Sequence, residues 1–129
     1  MGGKEIRRTI EQVEGIWPPP DRDATRLMRR VSELRCAPIS ELEVEDLRLL
    51  VGQRVGLPVI LTRVLEELER NPLASGDMYP GDLLVNVLRK AGPDLDPSQR
   101  RRLRAVAERA QRNDAEATPA EVSELLRLL

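Results

Sequence analysis

Apolar residues recur along the chain at the three- and four-residue spacing of an α-helix, in stretches that proline and glycine separate. The clearest stripe lies between Gly56 and Asn71 and consists of Leu57, Ile60, Leu61, Val64, Leu65 and Leu68. A stripe of this width lets a helix bury one face against the rest of a protein. The pattern therefore predicts a central helix over these residues.

Weaker stripes of the same period predict helices over residues 4–16, 21–35, 40–55 and 81–90, and then from Pro97 and from Pro119. Three sequences have the form of a capping box, in which two side chains satisfy free amides at a helix start: Ser40–Glu43, Asp96–Gln99 and Thr118–Glu121. Residues 72–81 contain two prolines and two glycines and predict a loop. Together these elements predict an all-α, compact single-domain bundle of six to seven short helices over residues 1–129.

Composition supports this prediction. Aromatic residues make up 2% of the chain, as Trp17 and Tyr79 with no Phe, whereas strands favour aromatic and β-branched side chains. A length of 129 residues is typical of one domain. The mainly Leu-based apolar positions therefore favour helices over a sheet.

The residue types present in the chain disfavour several classes of function. The chain has no His, the usual general base near neutral pH, and its one Cys cannot form an internal disulfide. We expect Cys36 to be a small buried apolar residue. No apolar run is long enough to span a bilayer and no apolar signal segment begins the sequence, so a cytoplasmic protein is expected.

The net charge of -1 conceals an uneven distribution. Residues 36–88 hold nine acidic and four basic side chains, a net charge of -5. Residues 89–112 hold eight basic and three acidic side chains, a net charge of +5. Opposed regions of this size can steer a charged partner even when the net charge is small.

Two groups could carry chemistry. Asp77 and Asp82 could form a carboxylate pair for metal or acid–base work, but a cap by Asp82 and an Asx turn by Asp77 are the favoured interpretation. The arginine run, which could bind phosphate or form a solvated helix face, consists of Arg100, Arg101, Arg102 and Arg104. The second interpretation is favoured because no aromatic partner accompanies the run.

An ordered set of short motifs lies between Pro38 and Leu88. In chain order these are Val44-Glu45-Asp46-Leu47-Arg48, Val51-Gly52-Gln53, Gly56-Leu57, Asn71-Pro72-Leu73 and Gly76-Asp77-Met78-Tyr79-Pro80-Gly81-Asp82-Leu83-Leu84. With these motifs the chain resembles the immunity proteins of contact-dependent growth inhibition (CDI) systems. The resemblance is strongest over residues 38–88, covers the N-terminal third loosely through Trp17-Pro18 and Leu34-Arg35, and does not extend beyond Lys90.

The resemblance implies a small helical protein of the cytoplasm with no enzymatic activity, no cofactor and no metal. Its implied partner is the C-terminal toxin domain of a cognate CDI effector delivered by a neighbouring cell, and nucleases are among such toxins. A monomer in a 1:1 complex is expected, with no nucleic-acid or membrane partner. An acidic face would complement the basic cleft of a nuclease.

The shared motif is expected to be mainly scaffold, because immunity proteins that recognise different toxins have it in common. Its polar and special residues here are Glu45, Asp46, Arg48, Gly52, Gln53, Gly56, Asp77, Tyr79, Gly81 and Asp82. Residues that discriminate toxins should then lie outside the motif. The toxin-binding candidates are Glu41, Glu43, Glu66, Glu67 and Glu69, which we expect to form a solvent-facing carboxylate patch.

Two other functions remain open at this point. The first is a helical nucleic-acid-binding regulator that uses the basic helix over residues 97–112. The second is a non-enzymatic helical adaptor without a toxin partner.

Overall fold

The computed structural model describes residues 8–129, and these residues form helices joined by short connections. The α-helices of this part are α1 (Ile10–Glu14), α2 (Arg26–Arg35), α3 (Val44–Gly52), α4 (Leu57–Arg70), α5 (Asp82–Asn86), α6 (Pro97–Asn113) and α7 (Glu121–Leu128). The described residues have no sheet, and their one extended pairing is an isolated bridge between Thr9 and Pro38. The prediction of an all-α fold is confirmed.

Helix α4 lies at the centre of the core. All six apolar residues of its predicted stripe are buried, against apolar residues of the surrounding helices. Helices α3 and α5 pack on one another beside it, and α6 packs directly on α4. The apolar stripe of α4 therefore correctly predicted the residues that this helix contributes to the core.

Helix starts follow local capping chemistry where the sequence offers a threonine or aspartate at the right position. The Thr25 hydroxyl accepts a hydrogen bond from the Met28 N–H at 3.1 Å, so α2 begins five residues later than predicted. Thr9 and Asp96 form capping boxes with Gln12 and Gln99, and the second of these was predicted. The residues 4–7 of the first predicted helix lie outside the described residues.

The other two predicted capping boxes are wrong. Residues Ile39–Glu41 form a single 3₁₀ turn, and Glu43 is the N-cap of α3, with its N–H donated to Asp46 Oδ2 at 2.9 Å. The Thr118 hydroxyl donates to the carbonyl of Asp114 at 2.7 Å and does not cap α7. In both cases the helix itself was predicted and only its start differs.

Helix α5 continues into a π-helical turn, Val87–Ala91, and then a 3₁₀ turn, Gly92–Asp94. The predicted inward residues of this region, Leu83, Leu84, Val87 and Leu88, are all buried. Gly81 precedes α5 with a φ of +86°, and a Cβ there would meet Pro119 of the connection before α7. Glycine therefore fits this position for both its backbone angle and its close neighbour.

Candidate interaction surface

The loop over residues 72–81 is held by a buried carboxylate. Asp82 is 1% exposed, and its Oδ1 accepts a hydrogen bond from the Gly76 N–H at 2.7 Å. Its Oδ2 accepts from the N–H groups of Met78 at 3.1 Å and Tyr79 at 3.4 Å. The prediction that Asp82 caps α5 is wrong, because Gly81 is the N-cap and the Asp82 carboxylate turns back to the loop.

A second carboxylate holds the same loop from α3. Glu45 Oε1 accepts a hydrogen bond from the Asp77 N–H at 2.8 Å. Arg48, three residues later, binds both oxygens of Glu45 at 2.7 and 2.5 Å, and its Nε lies 3.8 Å from Asp82 Oδ2. The Arg48 guanidinium holds the pKa of the Glu45 carboxyl below its ordinary value, so Glu45 stays an anion and an acceptor.

Gly76 lies inside this network. A Cβ at this position would collide with Glu45 Oε1 and would lie 3.1 Å from Asp82 Oδ2. Asp77 takes part through its backbone N–H, while its side chain is exposed. Glu45, Arg48, Asp77 and Asp82 therefore form one structural unit around the loop.

The remaining residues of the predicted scaffold are more dispersed. Asp46 binds Arg30 of α2 at 3.0 Å, in addition to its bond at the start of α3. Gly56 has a φ of +69°, and a Cβ there would lie 2.9 Å from Ile10 Cδ1. A Cβ at Gly52 would lie 3.5 Å from Asn86 Oδ1. Gln53 ends α3 and is exposed.

Glu67, one of the five toxin-binding candidates, is not free. Its Oε2 binds Arg63 at 2.8 Å and Arg70 at 3.5 Å, and only 15% of its side chain is exposed. Arg63 also donates to the carbonyl of Leu42 at 2.9 Å, which ties the segment before α3 to α4. The expectation that Glu67 faces solvent is wrong.

Glu69 is also engaged within the molecule. Arg102 of α6 binds both of its carboxylate oxygens, at 2.9 and 2.6 Å, and Arg109 donates to its backbone carbonyl. The Arg102 guanidinium holds the pKa of the Glu69 carboxyl below its ordinary value. Glu69 nevertheless keeps 40% of its side chain exposed, so it faces solvent while it is paired. Glu41, Glu43 and Glu66 are exposed and take part in none of the described ion pairs.

The arginine run is divided in the same way. Arg100, Arg101 and Arg104 are exposed on α6, whereas Arg102 pairs with Glu69. The acidic and basic regions of the sequence thus meet where α6 packs on α4, and the ion pair between Glu69 and Arg102 neutralises part of each charge.

A second surface was not predicted from the sequence, in which the three prolines indicated a helix end and Trp17-Pro18 fitted the pattern of the resemblance. Trp17 lies over the guanidinium of Arg35, with 4.1 Å between the ring centre and the guanidinium carbon. Arg35 is buried, and it donates to the carbonyl of Gly15 at 2.9 Å. Arg29 donates to the carbonyls of Asp21 and Arg22, so two arginines of α2 hold the Gly15–Ala24 strap.

The strap borders an open cleft of about 730 Å³ lined by Trp17, Pro18, Pro19, Pro20 and Met28, among others. Cys36 lies near it and is exposed, with its thiol donating to Glu11 Oε2 at 3.3 Å, so the prediction of a buried Cys36 is wrong. The hydrogen bond to the Glu11 carboxylate raises the pKa of the thiol. The sequence signal for this surface was the tryptophan beside three prolines.

Within residues 8–129, no cluster of Cys, Asp and Glu side chains has the geometry of a metal site. In the same range, no helix has both the length and the apolar character needed to cross a membrane.

The comparisons with known proteins agree with the motifs of the loop and of α3. A family model of CDI immunity proteins matches residues 5–104, which include both carboxylates that hold the loop. A search of curated proteins finds no match to the chain. Since the matched region covers more than half of the sequence, the chain belongs to the family of CDI immunity proteins.

Proposed function

We propose that this protein binds the C-terminal toxin domain of a cognate CDI effector and neutralises it by covering its active site or an adjacent surface. The match to CDI immunity proteins over residues 5–104 is the observation that carries this proposal. In this function the chain acts by binding alone, without catalysis or a cofactor. It acts in the cytoplasm, as a monomer in a 1:1 complex.

Surface charge supports a basic toxin, such as a nuclease. The exposed carboxylates of Glu41, Glu43, Glu66 and Asp77 all lie in the acidic region of the chain. A nuclease cleft is positively charged because it binds phosphates, and an acidic inhibitor can occupy it in their place. Because an unblocked toxin kills the cell, we expect a dissociation constant on the order of 1 nM or below.

Co-expression tests this function directly. We expect the neighbouring upstream gene to encode a large secreted protein, and the probe is the C-terminal domain of that protein. We expect the domain to stop growth when expressed alone, and this protein to restore growth and to elute with it as a 1:1 complex. Growth arrest that persists, with the two proteins eluting separately, would contradict the function.

A nucleic-acid-binding regulator is the second candidate, because Arg100, Arg101 and Arg104 are all exposed on α6. Its test is fluorescence anisotropy with labelled RNA and DNA duplexes across a salt series. Tight binding that weakens steeply with salt, and is lost in Arg100→Glu/Arg104→Glu, would favour this function. We expect only weak binding with no dependence on these residues.

A further inference from the structure

We propose that toxin recognition is centred on the loop before α5, with Tyr79 and Met78 as apolar anchors and carboxylates around them. We call Glu41, Glu43, Asp77, Met78 and Tyr79 the anchor surface. Its occupant is a basic surface of the toxin domain, so this inference rests on the proposed function.

The loop main chain is fixed before any partner binds. Four successive backbone N–H groups, from Gly76 to Tyr79, donate to the carboxylates of Asp82 and Glu45. A loop held in this way loses little conformational freedom on binding, which favours affinity. The loop is therefore pre-organised to present its side chains.

The side chains of Met78 and Tyr79 take no part in that fixation. Met78 is 66% exposed and Tyr79 is 38% exposed, and the hydrogen bonds that join them to Asp82 are made by their backbone groups. Exposed aromatic residues and methionines are enriched at the centres of protein interfaces. Tyr79, expected from the sequence to be scaffold, is therefore a contact residue in this proposal, as is Met78, whereas the carboxylates and arginine of the motif are scaffold.

The acidic members of the anchor surface are next to the loop. The Asp77 N–H lies 2.8 Å from Glu45 Oε1, in the first turn of α3, and Glu43 is the N-cap of that helix. Glu41 precedes it by two residues, and Arg63 fixes the Leu42 carbonyl between them to α4. The loop over residues 72–81 and the segment from Glu41 to Glu43 therefore border the same end of α3.

Charge identifies the kind of partner. Among the described ion pairs, none involves Glu41, Glu43 or Asp77, whereas Glu45, Glu67 and Glu69 are all paired with arginines. Carboxylates without an ion-pair partner, beside exposed apolar side chains, complement a positively charged surface, although the Glu43 carboxylate also accepts from the Asp46 N–H in a capping box. The Trp17 cleft lacks this complementarity, since Asp21, Arg22 and Asp23 alternate in sign at its border.

The two aromatic residues provide a matched test, because Trp17 and Tyr79 are both 38% exposed and lie on different elements. Each is changed to Ala in the full chain, and affinity for the upstream-encoded toxin domain is measured by surface plasmon resonance. We expect Tyr79→Ala to weaken binding about 30-fold or more, and Trp17→Ala to change it less than 3-fold. Thermal unfolding of both variants checks that they remain folded.

Position 78 tests the sign of the partner's charge. We expect Met78→Lys to weaken binding at least 10-fold more than Met78→Glu, because lysine repels a basic surface. The double reversal Glu41→Lys/Asp77→Lys should slow association about 10-fold at low salt. Its control is Glu108→Lys/Glu116→Lys, which makes the same change in net charge at two exposed carboxylates of the C-terminal region and should slow association clearly less.

The outcomes separate this inference from the function on which it rests. If the wild-type protein binds the toxin domain but folded Tyr79→Ala binds equally well, the anchor surface is wrong and the function stands. If Trp17→Ala loses more affinity for the toxin domain than Tyr79→Ala does, recognition lies at the Trp17 cleft instead. If the wild-type protein does not bind the domain, both proposals fail.

Discussion

Asp82 shows how a side chain at the first position of a helix can serve the loop before it. From the sequence, Asp before an apolar run is typical of a helix cap. In the structure the residue is one position too late to cap, and Gly81 occupies the N-cap with a left-handed backbone. The carboxylate is then free to accept three N–H groups from residues 76–79.

Replacing Asp82 should therefore destabilise the protein more than the loss of a cap, which costs about 1 kcal/mol. We expect Asp82→Ala to lower the free energy of unfolding by about 3 kcal/mol, because three part-buried N–H groups lose their acceptor and Arg48 loses a neighbouring anion. Asp82→Asn keeps one acceptor oxygen and should lose less. Urea denaturation followed by circular dichroism measures both, and a loss below 1 kcal/mol for Asp82→Ala would show that the loop is not held this way.

Gly76 provides a steric test of the same network. We expect Gly76→Ala to destabilise by about 2 kcal/mol, because its Cβ would collide with Glu45 Oε1 and force the loop away from α3. Gly92→Ala is the control, since its Cβ would meet nothing closer than 3.8 Å. Calorimetric melting of the two variants compares them, and equal midpoints would contradict a tight fit at Gly76.

At the level of elements, the apolar stripes predicted the helices well and the polar signals predicted their ends poorly. The stripe of α4 is buried without exception, because burial of one face depends only on residue spacing. Ser40 and Thr118 stand in capping sequences that the tertiary structure does not use as helix starts. Cap chemistry is local in sequence, but where a helix starts also depends on what packs beside it.

The pairing of acidic residues could not be predicted either. Spacing along α4 places Glu66 and Glu69 off the apolar stripe, but it does not show that Arg102, 33 residues later, reaches Glu69. Long-range ion pairs depend on how elements pack, which local patterns do not encode. The exposed positions of Glu41, Glu43 and Glu66 agree with the sequence expectation.

Arg102 and Arg109 of α6 both bind Glu69 of α4, and we call these contacts the clamp between the two helices. The clamp gives a prediction about how strongly α4 and α6 are held together. We expect Glu69→Lys to lower stability by about 1 kcal/mol, because it places a third positive charge beside Arg102 and Arg109. Glu66→Lys, at an exposed position of the same helix, should stay within about 0.5 kcal/mol of wild type. Denaturant titrations at low salt measure both, and similar values for the two variants would argue against a clamp.

For the molecule as a whole, the C-terminal helices are part of the same core as the family motif. The family match ends at residue 104, within α6, yet Val122 and Leu126 of α7 are buried in the shared core. The connection before α7 also reaches Gly81, at the start of α5. The region without recognisable motifs thus supports the region that carries them.

Removing residues 114–129 should accordingly destabilise the remainder. The buried side chains of Val122 and Leu126 contribute about 4 kcal/mol together, so we expect a clear drop in the melting temperature of the shortened chain. The double variant Ser123→Ala/Arg127→Ala, at exposed positions of α7, is the control. A shortened chain that melts with the full-length protein would show that α7 is peripheral.

The placement of both aromatic residues at the surface determines what optical spectroscopy reports. Emission from Trp17, the single tryptophan, depends on the Gly15–Ala24 strap and on the Arg35 guanidinium beneath the ring. The far-ultraviolet signal comes instead from the helices around α4. A fluorescence transition at lower denaturant than the helical transition therefore measures release of the strap from an intact core.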